Sequence, residues 1–186
     1  QASGVDLLDF EDGSGDCDAG TPGTNTTLTG TVPAGTYTGV RFVVGIPEAL
    51  NHQAFETAPA PLNLSSMAWT WLAGYRFLRV DGETSAGTWE VHLGSTGCRG
   101  TPPDGVVCAR ANRMTVELTG FDPSTNQITF DLAALLSGSD VQASFGQSIG
   151  CASERDDDDC AALFGHMGLS LETGEVTGGQ DVFSVR

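Results

Sequence analysis

Residues 67–98 read MAWTWLAGYRFLRVDGETSAGTWEVHLGSTGC, and their patterning sets the fold class. Met67, Trp69 and Trp71 share one parity, which places them on one face of an extended segment. Beyond Gly74, Tyr75, Phe77 and Arg79 form a second alternating run, so the glycine marks a bulge or a close approach of backbones. Asp81 and Gly82 read as a turn. After it Trp89, Val91 and Leu93 alternate with Glu90 and His92. A period of two on both sides of a turn predicts two adjacent strands joined by a tight loop.

The same signals extend in both directions. Residues 36–47, TYTGVRFVVGIP, form the clearest strand of the first half, with Tyr37, Val40, Phe42 and Val44 prominent and Pro47 as terminator. Residues 26–31, TTLTGT, also suit a strand. Residues 5–10 read as a strand that enters the turn-rich stretch EDGSGDCDAGTPGTN. Residues 48–63 mix Pro, Ala and polar groups, and read as a long loop that carries His52. Downstream, NRMTVELTGFD and NQITFDLAALL are strand candidates, the second turning helical at its end. SERDDDDCAALFGHMGL reads as an acidic loop leading into a short helix, and VFSVR as a final strand. No repeat of fixed period is present. Many short strands with frequent turn signals predict an all-β protein: an antiparallel β-sandwich with long loops and one short helix near the C-terminus. A length of 186 residues suits a single domain, 1–186.

Charge narrows the function. Acids outnumber bases 24 to 8, for a formal charge of −16, and such a surface repels phosphate backbones. Nucleic acid is therefore not an expected partner; cations, a basic partner face or simple solubility remain. No apolar run is long enough to span a bilayer, and a charged start followed by an apolar segment is missing, so no membrane span is expected and any signal peptide is read as already removed. The five cysteines form no CxxC pair, which argues against a zinc ribbon or a thioredoxin-type motif. Cys98 with Cys108 and Cys151 with Cys160 would each close a short turn-rich loop as a disulfide, which implies an oxidising compartment. Cys17 is left over.

The chemistry-bearing residues are few. His52 lies in a polar stretch and His92 in a strand; two neutral imidazoles from separate elements suit copper or zinc if they converge, although surface or core roles are the commoner fate of two arbitrary histidines. Trp69 and Trp71 are either core residues or indoles lying against a metal and open to oxidation. Met67 is either core or a thioether ligand for Cu(I). The run Asp156, Asp157, Asp158 and Asp159 is a calcium candidate or a solvated charge run, without EF-hand spacing. GxSxG, HExxH, Walker and dinucleotide motifs are missing, so the chain reads as a binding protein and not an enzyme. The competing reading is a calcium-stabilised β-sandwich used for adhesion or ligand binding.

The segments IPEALNHQ, MAWTWLAGYRFLRVDGE and VHLGSTGC, in this order, followed by NRMTVELTGFD, GCASE and CAALFGHMGL, resemble the MbnP-like copper-binding family, named for a methanobactin-associated periplasmic protein. The resemblance covers most of the chain. It implies a periplasmic or surface copper protein, similar to copper-repressed surface proteins of methanotrophs, with His52 and His92 as ligands. It also implies that a tryptophan of MAWTW, Trp69 in preference to Trp71, is converted to kynurenine by a dihaem MauG-like peroxidase. Family members carry further strands before the segment equivalent to residues 5–17; the resemblance implies that these are lacking here.

Overall fold

The computed structural model describes residues 4–15, 20–101, 105–143 and 149–186. Cys17 lies outside the described residues. The elements run β1 (Gly39–Val44), α1 (Glu48–Asn51), a 3-10 turn (Ser65–Met67), β2 (Arg76–Thr84), β3 (Gly87–Gly94), β4 (Thr96–Thr101), β5 (Gly105–Arg110), β6 (Met114–Thr119), β7 (Ile128–Phe130), α2 (Leu132–Leu135), β8 (Ile149–Cys151), α3 (Cys160–His166) and β9 (Phe183–Val185). The described strands pair as β1 with β6, β2 with β3 and β8, β4 with β5, and β7 with β9. This is an all-β sandwich with short helices, as the alternation predicts. One pairing departs from the antiparallel expectation: β3 and β8 run parallel, with Trp89 opposite Ile149 and Val91 opposite Cys151.

The core lies where the inner faces of β3 and β6 meet. Val91 and Leu93 from β3 and Met114 and Val116 from β6 share one buried cluster with Leu135, Leu163, Phe164, Met167, Leu169 and Val182. Fully burying such side chains contributes roughly 1.5–3 kcal/mol each, before the entropy of ordering them is subtracted. Phe42 of β1 and Phe130 of β7 both meet Phe183 of β9, at ring centroids 5.4 and 5.1 Å. The β7–β9 pair is thereby fixed to the β1–β6 pair.

The central hairpin differs from its sequence reading in two places. Asp81 and Gly82 are not a turn; they sit inside β2, opposite Glu90 and Trp89, and the chain reverses at Ser85 and Ala86. Gly82 is required there because a Cβ would stand 2.3 Å from the Trp89 indole, which lies across the glycine. Residues 67–71 are not a strand either. Met67 ends the 3-10 turn, Ala68 makes a single bridge to Tyr75, and residues 70–73 reverse the chain. Upstream, residues 26–31 are exposed and outside any strand, and the residue 5–10 segment contributes only isolated bridges, including Asp9 to Asn25.

Both local cysteine pairs are disulfides: Cys98 to Cys108 across β4 and β5, and Cys151 to Cys160 between β8 and α3. Asp131 caps α2 by accepting the Ala134 N–H at 3.0 Å. Among the described residues no helix is long and apolar enough to cross a membrane.

Candidate metal centre

Residues 48–52 are not wholly loop. Pro47 leads into one helical turn, whose first bond runs from Leu50 N–H to the Pro47 carbonyl at 2.8 Å, and His52 is the C-cap. Asn51, fully buried, holds this turn to the next segment: its Oδ1 accepts the Tyr75 N–H at 3.1 Å. Gly74 makes that approach possible. Its φ is +82°, and a Cβ would lie 2.6 Å from the Asn51 carbonyl oxygen. The intervening loop is closed by Trp69 N–H to the Gly74 carbonyl at 3.0 Å and Gly74 N–H to the Thr70 carbonyl at 2.7 Å.

The His52 side chain is only 8% exposed. Its Nδ1 lies 3.1 Å from the Trp71 carbonyl, which can only accept, so Nδ1 carries the proton and Nε2 presents a lone pair. That lone pair faces the Asn51 amide nitrogen at 3.3 Å and Sγ of Cys108 at 3.4 Å.

His92 is held differently. On β3 it stands opposite Arg79 of β2, and its Nε2 lies 2.6 Å from Asp81 Oδ1. Arg79 Nε donates to the other Asp81 oxygen at 2.7 Å. Burial works to raise the Asp81 carboxyl, but the hydrogen bonds from Arg79 and His92 outweigh it and hold the group below its ordinary value. Arg76 Nε reaches His92 Nδ1 at 3.4 Å. Arg76 and Arg79 are three positions apart, which on a regular strand would place them on opposite faces; the register shift between Arg76 and Leu78 brings both onto the His92 side. Burial lowers the Arg76 guanidinium, and its carbon lies 5.4 Å from the Trp69 ring centre. Trp69 in turn meets the His92 ring edge-on at 6.3 Å.

Each histidine has one ring nitrogen oriented by an oxygen acceptor, the outer-shell arrangement found around metal-ligating imidazoles. At His92 the second nitrogen, Nδ1, also faces a carboxylate oxygen, that of Glu90 at 3.4 Å. Among the described residues, two groups bring ligand atoms within 4.8 Å of one another: His52 with Cys98 and Cys108, and Asp81 with Glu90 and His92. The two histidines therefore fall in separate groups, each beside one of the two tryptophans. Met67 closes the 3-10 turn, and the run Asp156 to Asp159 belongs to neither group. Within the run Asp157 is buried, and its Oδ1 accepts the Asp159 N–H at 3.0 Å. Burial pushes its carboxyl up.

The MbnP family profile matches residues 1–153. The chain belongs to the MbnP family. Among solved structures it is similar to MbnP from Methylosinus trichosporium, at 38% sequence identity and a TM-score of 0.77, over 82% of this chain and 64% of that one. The chain thus spans just under two thirds of that relative. No match is found among curated proteins. The MbnP family is linked to copper, and imidazole nitrogens beside carboxylates are chemically suited to it.

Asn51, Arg76, Asp81 and Glu90 escaped the sequence reading. Asp81 was hidden by its glycine neighbour, since Asp-Gly is a strong turn signal. A longer alternation, RFLRVDGET continuing through the pair, was the signal that could have exposed it.

Proposed function

We propose that this MbnP chain is a periplasmic or surface copper-binding protein whose ligands are His52 and His92. In this reading a dihaem MauG-like peroxidase oxidises an intervening tryptophan, Trp69 or Trp71, to kynurenine, and the chain itself is not a catalyst. The observation that carries it is the short loop 69–74, against which both imidazoles lie: His52 on the Trp71 carbonyl and His92 against the Trp69 ring. Opening the pyrrole ring of an indole there yields an aryl amine and a ketone within the same loop. An apolar wall thereby gains groups able to reach a metal. Asp81 would act as the orienting carboxylate for His92 Nε2, and copper at Nδ1 would take the place of the two groups that face it at 3.4 Å, Arg76 Nε and the Glu90 carboxylate.

Trp69 is favoured as the modified residue because it touches His92 and Arg76 directly. The test is an anaerobic Cu(I) titration of the oxidised-disulfide protein, before and after treatment with the peroxidase, on wild type, His52→Ala and His92→Ala. Each substitution is expected to weaken binding at least about tenfold. Unchanged affinity in both variants overturns the ligand assignment. Intact-mass analysis checks the modification, since kynurenine has lost one carbon and gained one oxygen relative to tryptophan.

A further inference from the structure

His52 also faces a set of atoms that the reading above does not use. We propose that the Cys98–Cys108 disulfide closes a second copper site, and that reduction opens it to bind Cu(I) through Sγ of Cys98, Sγ of Cys108 and Nε2 of His52. This site shares His52 with the proposed function but requires neither His92 nor tryptophan oxidation.

Four observations support it. The three ligand atoms already lie within 4.8 Å of one another. The imidazole is nine-tenths buried, and with Nδ1 fixed on the Trp71 carbonyl its lone pair faces Sγ of Cys108 at 3.4 Å. Secondly, the two cysteines are directly opposed in the β4–β5 hairpin, flanked by the pairs Thr96 with Arg110 and Arg99 with Val107. Breaking the sulfur bond therefore leaves both thiols held side by side by backbone pairing.

Thirdly, the bond is approachable. Cys98 lines an open cleft of about 440 Å³ whose other walls include Trp69, Arg76 and Glu154. Cys151 and Cys160 of the other disulfide are 1% and 0% exposed. Thiol–disulfide exchange needs an incoming thiolate to reach a sulfur, so a reductant discriminates between the two bonds. Finally, two thiolates and one imidazole form a soft set with three members, suited to Cu(I); a structural Zn(II) site takes four.

The reductant is a dithiol. One of its thiolates attacks Sγ of Cys98 from the cleft, and Cys108 leaves as a thiolate facing His52. The dithiol's second thiol then displaces Cys98 from the mixed disulfide. Two electrons pass to the Cys98–Cys108 pair, the dithiol ends as its own disulfide, and its two protons end on the protein thiols. Copper binding afterwards releases those protons to solvent, with no change in the oxidation state of Cu(I).

The test uses the full chain carrying Cys17→Ser, so that only the four disulfide cysteines remain. After anaerobic treatment with a dithiol, alkylation and mass analysis should count two thiols, at Cys98 and Cys108, with the circular dichroism of the folded protein retained. Four thiols, or none, overturns the selective closure. Cu(I) supplied against a chromophoric competitor should bind the reduced protein at least about tenfold more tightly than the oxidised one, and X-ray absorption should show copper–sulfur scattering. That scattering should persist in His92→Ala and vanish in the Cys98→Ser/Cys108→Ser double variant. Two free thiols without copper–sulfur scattering in the reduced protein, or a preference for Zn(II), overturns the proposal. Conversely, an oxidised protein indifferent to His92→Ala overturns the two-histidine reading and leaves this one standing.

Discussion

Gly74 and Asp81 set the two ends of the candidate centre, each through one atom's worth of space or charge. Replacing Gly74 by Ala forces a left-handed residue to carry a Cβ, at about 1–2 kcal/mol for the backbone alone, and pushes that carbon into the Asn51 carbonyl. Gly74→Ala should therefore lower the urea midpoint and also disturb His52, which adjoins Asn51; an unchanged midpoint would refute the close approach. Asp81 acts through charge. Its carboxyl is held below the ordinary value in the folded protein, so the stability it supplies is present above the unfolded value and lost as pH falls through the folded one. In Asp81→Asn the acid limb of the stability profile should be shallower than in wild type, and denaturant melts across the acid range read this directly. These residues were the least legible in sequence. A histidine announces itself as a ligand, whereas its orienting carboxylate is one of 24 acids, distinguished only once β2 and β3 are paired in register.

The central hairpin carries the clearest lesson about elements. Alternation placed Trp89, Val91 and Leu93 on one side, and all three are buried in the core. Turn chemistry misled, because Asp-Gly occurs here for a packing reason: an indole needs the flat floor that glycine gives on the facing strand. A side chain at Gly82 must displace the Trp89 ring from a cluster where truncating a large aromatic residue costs about 3–5 kcal/mol. Gly82→Val should accordingly destabilise by a sizeable part of that range, despite valine's favourable strand propensity. Thermal unfolding decides between the two: a raised melting temperature would mean that propensity wins and the ring is not seated as described. Residues 67–71 show the opposite error. Parity suggested a strand, but Gly74 and the Thr70 carbonyl close a loop that local alternation cannot reveal. That loop, and not a strand face, presents the two indoles.

At the scale of the whole molecule, the C-terminal third closes the core. The family match ends at residue 153, yet Leu163, Phe164, Met167, Leu169 and Val182 all lie in the main cluster. His166 clasps this region: its Nδ1 faces Asp181 at 3.0 Å and its Nε2 the Ser137 carbonyl at 2.8 Å, two acceptors that only the imidazolium can serve at once. The Asp181 bond, followed by that to Ser137, raises its pKa. The stability it contributes is therefore complete below the ordinary imidazole value and disappears as pH rises through the raised one. His166→Gln should lower the melting temperature in mildly acidic buffer and leave it nearly unchanged in alkaline buffer. Equal losses at both would show that the clasp is not charged. The fold class and the disulfide pairs were readable because alternation and short cysteine spacings are local. The β3–β8 parallel pairing and the separation of His52 from His92 depend on contacts distant in the chain, which no window of sequence contains.

The three indoles occupy three environments: Trp89 is sealed in the core, Trp69 is half-buried beneath a guanidinium, and Trp71 is 37% exposed. The molecule thus carries its own optical label. Emission from Trp89 is the constant background, while that from the other two rises or falls with whatever occupies the loop between the imidazoles. Steady-state quenching can follow events at the centre without any dye being attached.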